Sequence, residues 1–216
     1  MLHQQKRITV MLLAFLAVAI LVMPGTAMAA PDLQVGSKNG DVWDLQYRLQ
    51  ILGYYQGKLD GVYGSRTYQA VKQFQRNYGL AADGLTGKRT WNVLKKVSVN
   101  RAEMQMLAQL VYGEARGESY VGQVAVAAVV MNRLQSDRFP NTLKEVIFEP
   151  YAFTAIDDGQ YWLTPDKTAY QAALDAVRGW DPTGNALYYF NPDTATSAWI
   201  WTRPQIKKIG SHIFAR

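Results

Sequence analysis

The chain has 216 residues, 49% of them apolar, and a formal net charge of +6, enough for one or two domains with a real core. It contains no cysteine and only two histidines, His3 and His212. Disulfides, thiolate nucleophiles and thiolate metal sites are therefore excluded, and a His-rich zinc centre cannot be built. The basic residues are dispersed, with no arginine run interleaved with aromatics. That speaks against a nucleic-acid partner and suits an anionic wall or membrane surface.

Residues 1–29 read as a secretory signal. Lys6 and Arg7 form a positive start, and Ile8 to Met23 is an apolar run. Ala27-Met28-Ala29 supplies small residues at the cleavage positions. The run is short for a span of about 20 residues, so cleavage is expected over anchoring. The segment holds two of the 23 basic residues and none of the 17 acidic ones, so its removal lowers the net charge from +6 to +4.

Residues 34–96 carry an internal repeat. Asp60-Gly61-Val62-Tyr63-Gly64-Ser65-Arg66-Thr67-Tyr68 aligns with Asp83-Gly84-Leu85-Thr86-Gly87-Lys88-Arg89-Thr90-Trp91, with five of nine positions identical. Each Asp-Gly predicts a tight turn, and each Arg-Thr that follows opens a helix. Val42, Leu45, Leu49 and Leu52 recur at helical spacing and end at Gly53; Ala70, Val71, Phe74 and Tyr78 do the same. The expectation is three short helices joined by two similar turns. Lys95 to Val99 then reads as a short linker.

This module resembles the peptidoglycan-binding domain attached to bacterial wall hydrolases. The resemblance rests on Leu52-Gly53-Tyr54, the two Asp-Gly turns, Ala70-Val71, Phe74-Gln75 and Gly79-Leu80. It implies binding of wall glycan or stem peptide beside the turns, with Asp60, Gly61, Asp83 and Gly84 as candidate contacts. The residue-level alternative is that these pairs only build the turns.

In residues 100–216, Asn100 and Glu103 predict a capping box. Met104, Leu107 and Val111 extend an apolar stripe that lands on Glu114. Gly117 ends or kinks that helix. Residues 120–134 have almost no polar face and predict a buried central helix. A short helix is expected near Asn141 to Phe148. Another is expected with Thr164 as N-cap and Pro165 in its first position. Leu187 to Phe190, the stretches around Trp199 and Trp201, and His212 to Phe214 read as short strands. The fold expected is a small α+β domain.

Glu114 and Glu118 stand four residues apart, which invites a two-carboxylate glycosidase reading. Side chains one turn apart point the same way and cannot flank a sugar, so a single acid in an apolar pocket is preferred. Desolvation raises the pKa of such an acid and keeps it able to donate a proton. The alternative from spacing alone is a buried ion pair of Glu114 with Arg116, Arg133 or Arg138. Asp157 and Asp158 are the fallback second carboxylates. His212 is expected to satisfy a local hydrogen bond.

The run Val111 to Glu118, together with Val130 to Arg133, Phe139-Pro140, Ala152 to Ala155, Asp158 to Gln160, Tyr188 to Pro192 and Ile209 to Phe214, resembles the catalytic domain of bacterial spore cortex-lytic enzymes. The resemblance implies a lysozyme/transglycosylase-like α+β catalytic domain behind a small three-helix peptidoglycan-binding domain. It implies Glu114 as the catalytic acid, cleavage between muramic acid and glucosamine with a 1,6-anhydro product, and no cofactor or metal. Glu118, Phe153, Thr154, Tyr188 and Tyr189 are candidate substrate contacts. The implied partners are cortex peptidoglycan and a membrane-associated companion protein. The implied location is the spore cortex, at the outer face of the inner membrane. Two rivals remain at this level: a hydrolytic muramidase or glucosaminidase on the same scaffold, and a non-catalytic wall-binding protein.

Overall fold

The computed structural model describes residues 32–216, so the expected signal segment lies outside the described residues. Helices α1 (Gly40–Ile51), α2 (Ser65–Asn77) and α3 (Lys88–Val97) form the first unit. They enclose a core that includes Leu45, Leu49, Phe74, Trp91 and Leu94. The Asn39 side chain caps α1 by accepting from Val42 N at 3.0 Å, and Gly53 (φ 83°) turns the chain away after it.

The repeat has a physical basis that sequence did not reveal. Gln46 Nε2 donates to Asp60 Oδ1 (2.8 Å), Val62 O (3.1 Å) and Thr67 Oγ1 (3.1 Å), while its Oε1 accepts from the Asp60 and Gly61 amides. Gln75 repeats the pattern with Asp83 Oδ1 (2.9 Å), Leu85 O (2.8 Å), Thr90 Oγ1 (3.2 Å) and the Gly84 amide. Both glutamines are buried, so each satisfies the orphan groups of one turn and removes the cost of burying them. Asp60, Gly61, Asp83 and Gly84 are thus turn builders first. Gly61 (φ 69°) and Gly84 (φ 74°) sit in the left-handed region, and a Cβ at Gly84 would strike the Tyr68 ring.

The second unit contains α4 (Arg101–Ala115), α5 (Tyr120–Gln135), α6 (Leu143–Ile147), α7 (Thr154–Asp157), a 3₁₀ turn (Gln160–Trp162) and α8 (Lys167–Val177). They are followed by β1 (Tyr188–Phe190), α9 (Ala198–Trp201), β2 (Gln205–Ile209) and β3 (His212–Ala215). Gly122 to Met131 of α5 is buried without interruption, and α4 and α8 pack against this helix. The strands form one antiparallel sheet in the order β1-β3-β2, with Tyr189 opposite Phe214. Phe214 and Ala186 seat the sheet on Ala125 and Val129 of α5.

Several expectations are corrected. The stretch at Trp199 and Trp201 is a one-turn helix, not a strand. Helix α8 starts at Lys167, two residues beyond the expected Pro165: Asp166 is the N-cap, accepting from Ala169 N at 2.8 Å. Lys95 to Val97 belong to α3, so the linker is reduced to Ser98 to Asn100, and Ser98 and Val99 are buried.

The two units are pinned at that linker. Arg48, only 2% exposed, donates to Asp44, to Ser98 O (3.0 Å) and to Glu103 Oε2 (2.9 Å). Glu103 Oε2 also closes the predicted capping box of α4 by accepting from Asn100 N at 2.7 Å. Arg178 Nε reaches back to Ile51 O at 3.0 Å.

Candidate active site

The apolar stripe of α4 buries Met104, Leu107 and Val111 and delivers Glu114 to the floor of a cleft of about 900 Å³. Its carboxylate is held at both oxygens. The Ala155 amide at the start of α7 donates to Oε1 at 2.6 Å, and Tyr189 Oη on β1 donates to Oε2 at 2.7 Å.

Gly113 makes the first of these contacts possible. A Cβ there would lie 2.7 Å from Ala155 Cβ and 3.3 Å from the Gln160 carbonyl. The bare backbone lets α4 approach α7 and the 3₁₀ turn. The second contact depends on α5. Asn132 Nδ2 donates to Ala186 O (3.0 Å) and Arg133 Nε to Leu187 O (2.8 Å), which fixes the entry to β1 and so the position of Tyr189.

Burial dominates the electrostatics of Glu114 and pushes its pKa up, against the lowering effect of the Ala155 and Tyr189 hydrogen bonds. Burial also pushes the Tyr189 phenol well above its usual range, with the Glu114 charge adding to the effect, so Tyr189 remains a donor. Among the described residues Glu114 forms no salt bridge, so the ion-pair alternative does not hold.

Glu118 is not part of the cleft. It lies beyond the end of α4, where it accepts from the Ser211 amide at 3.3 Å and from the Ser211 hydroxyl. His212 Nδ1 stands 3.6 Å from its Oε1. A Cβ at Gly210 would collide with Glu118 Oε2, so the β2–β3 turn is shaped around this carboxylate. The His212 ring meets the Tyr189 ring edge-on, with centroids 5.1 Å apart. Glu118 thus supports the element that supports Tyr189. The helix ends between Glu114 and Glu118, in keeping with the break expected at Gly117, so the two do not share a helical face as their spacing alone suggests.

Phe153, Thr154, Tyr188 and Tyr189 all border the cleft, as do Trp199, Asp158 and His212. Trp201 instead packs its ring on Phe190, and Asp157 is not among the lining residues. Asp158 directs its carboxylate to Gln160, accepting from the amide at 3.0 Å and from Nε2 at 2.5 Å. His212 does not satisfy the hydrogen bond expected of it: its Nδ1 is buried without a hydrogen-bond partner, and burial lowers its pKa. No group of His, Asp and Glu suited to holding a metal occurs among the described residues.

By spacing alone, Arg133 is an ion-pair candidate for Glu114. In the structure it borders the cleft on a platform of aromatic rings, 5.0 Å above Phe139, 4.9 Å above Phe153 and 5.6 Å above Tyr188.

Comparison with known proteins gives this geometry a context. Residues 117–215 match the Cell Wall Hydrolase family model, and residues 38–94 match a peptidoglycan binding domain model. Glu114 lies just ahead of the first of these matches. The spore cortex-lytic enzyme of Bacillus cereus is 47% identical, over 95% of this chain and 96% of its own. That of Bacillus subtilis is 41% identical, over 88% and 90%. The solved catalytic domain of the germination-specific lytic transglycosylase SleB from Bacillus anthracis superimposes with a TM-score of 0.53 at 69% identity, covering 55% of this chain and 97% of that one. The chain belongs to the spore cortex-lytic enzyme family, an enzyme with a lysozyme-like α+β catalytic unit behind a peptidoglycan-binding unit.

Proposed function

We propose that the protein opens the glycan strands of spore cortex peptidoglycan by non-hydrolytic cleavage between muramic acid and glucosamine, with Glu114 as the sole acid and base. Protonated Glu114 donates its proton to the glycosidic oxygen, and the bond from that oxygen to the muramoyl C1 breaks. The resulting carboxylate accepts the proton of the muramoyl C6 hydroxyl as that oxygen bonds to C1. A 1,6-anhydro ring forms and Glu114 is protonated again. The substrate supplies the nucleophile, so no second carboxylate is required.

The observation that carries this reading is the state of Glu114: desolvated, raised in pKa, held at both oxygens and facing the cleft. Each oxygen keeps a second lone pair, so a proton can be carried toward the substrate without breaking either contact. A hydrolytic route would instead draw on a second cleft carboxylate to hold water, Asp158 or Glu149, and it would leave hydrated rather than anhydro ends.

The proposal extends to the rest of the chain. Residues 1–29 direct export, residues 34–96 bind the wall and residues 100–216 cleave it. Wall binding is assigned to the groove of about 530 Å³ beside the second Asp-Gly turn, bordered by Asp83, Leu80 and Arg89. The site of action is the cortex at the outer face of the spore inner membrane, where a membrane-associated companion protein restrains the enzyme. Phe153, Thr154, Tyr188 and Tyr189 contact the sugars. The test is Glu114→Gln in the full chain: decoated spores should remain unlysed while cortex binding persists. Lysis at the parental rate contradicts the assignment.

A further inference from the structure

Arg133 is 5% exposed, yet no carboxylate among the described residues pairs with it. Its Nε is used by Leu187 O, and its terminal nitrogens make no hydrogen bond among the described residues. Those nitrogens are not sealed off, because the residue borders the same cleft as Glu114. The charges of Glu114 and Glu149 act on it, but neither comes within ion-pair distance. A buried guanidinium without a counter-ion is costly, and aromatic faces offset only part of that cost.

A second cation lies next to it. Arg138 sits 5.9 Å above the Tyr188 ring that also carries Arg133, and its Nη2 donates to Tyr188 Oη at 3.2 Å. Among the described residues Arg138 too forms no salt bridge. Two like charges share one ring, and among the described residues neither has a carboxylate within ion-pair distance, so an anion that joins them is favoured. The planar fork of arginine matches a carboxylate through two parallel hydrogen bonds.

We propose that Arg133 and Arg138 form a subsite for a carboxylate of the substrate, carried by the acyl substituent of the muramoyl residue bound beside Glu114. This rests on the wall-glycan reading above. Two sources share this chemistry: the lactyl carboxyl itself, and the carboxyl of an amino acid amide-linked to it. Phe153 and Tyr188 contribute by holding the guanidinium rather than by stacking on sugar alone.

The test uses the full chain carrying Glu114→Gln, so that ligand is bound and not turned over. Muramoyl–glucosamine disaccharides are titrated by calorimetry in four forms: free lactyl carboxylate, its neutral amide, the alanyl derivative, and the neutral amide of that derivative. At least one charged form should bind about tenfold more tightly than its neutral counterpart, as expected for a charge-assisted bidentate contact. The pair that shows the difference identifies the source. Arg133→Lys keeps the charge and loses the fork, so the preference should shrink severalfold; Arg138→Ala, an exposed position, should shrink it without loss of thermal stability. Equal binding of charged and neutral forms in both pairs overturns the subsite, and so does an undiminished preference in both arginine variants. Failure here leaves lysis by the parent enzyme untouched, whereas failure of the Glu114 assignment shows in the lysis assay.

Discussion

Tyr189 Oη donates to Glu114 Oε2 at 2.7 Å, across 75 residues of sequence, and joins the end of α4 to the first strand of the sheet. The contact orients the acid and favours its ionised form, whereas burial favours the protonated one. Burial wins, so Glu114 holds its proton above the usual carboxylate range.

Tyr189→Phe removes a donor to the carboxylate. The Glu114 pKa should rise further, so the alkaline limb of the pH–rate profile should move to higher pH. Loss of orientation should lower the maximal rate by roughly tenfold, within the usual range for a hydrogen bond to a charged group. A pH–rate profile on isolated cortex checks both. An alkaline limb that moves to lower pH contradicts this account of the bond.

Gly113→Ala places a methyl group 2.7 Å from Ala155 Cβ. Helix α7 must shift and the Ala155 amide must leave Glu114 Oε1. The cost in stability should be about 1–3 kcal/mol, as for overpacking, with a loss of rate larger than any change in KM. Denaturant melts and kinetics of the same preparation separate the two effects.

Glu118→Ala removes the acceptor of the Ser211 amide and hydroxyl. The β2–β3 turn and the His212 ring behind Tyr189 should loosen. Stability should fall by about 1 kcal/mol, the lower end of the cost of unmet donors, because these donors are only partly buried. The maximal rate should fall while KM stays near the parental value. Complete loss of activity in a fully stable protein would instead make Glu118 a catalytic residue.

His212 titrates below its ordinary range in the folded chain because it is buried, despite the nearby Glu118 charge. The unfolded chain therefore takes up a proton at higher pH than the folded one. The neutral ring leaves stability intact above the unfolded value of about 6.5, and stability is lost as pH falls from there through the folded pKa. His212→Asn should flatten this dependence in melts between pH 7 and pH 5.

Arg48→Ala leaves Glu103 and the Ser98 carbonyl without their buried donor. Removing one partner of such a pair costs about 3–5 kcal/mol when fully buried, and less here because both acids are partly exposed. Proteolysis should then cut near Ser98, where the parent chain is protected.

Much of the catalytic unit was legible because its signals are local. The stripe through Met104, Leu107 and Val111 led to Glu114, and the unbroken apolar run of α5 marked the central helix. What sequence hid depends on contacts between distant segments. Ala155 and Tyr189 meet Glu114 only after α7 and β1 fold onto α4. Arg133 looked like an ion-pair partner because spacing does not show that its neighbours are aromatic rings. Glu118 reads from sequence as a candidate substrate contact because its partner, Ser211, is 93 residues away. The glutamines Gln46 and Gln75 lie outside the repeated motif they stabilise, so the repeat displayed its turns and not what locks them. Trp199 and Trp201 suggested strand spacing, yet the chain between them closes one helical turn that places Trp199 at the cleft and turns Trp201 onto Phe190.

The most direct measurement is mass spectrometry of cortex digested by the parent protein and by Glu114→Gln. The parent should release fragments ending in 1,6-anhydromuramic acid, and the variant should release none while still binding cortex. Hydrated reducing ends from the parent, or anhydro ends from the variant at the parental rate, would contradict the single-acid mechanism.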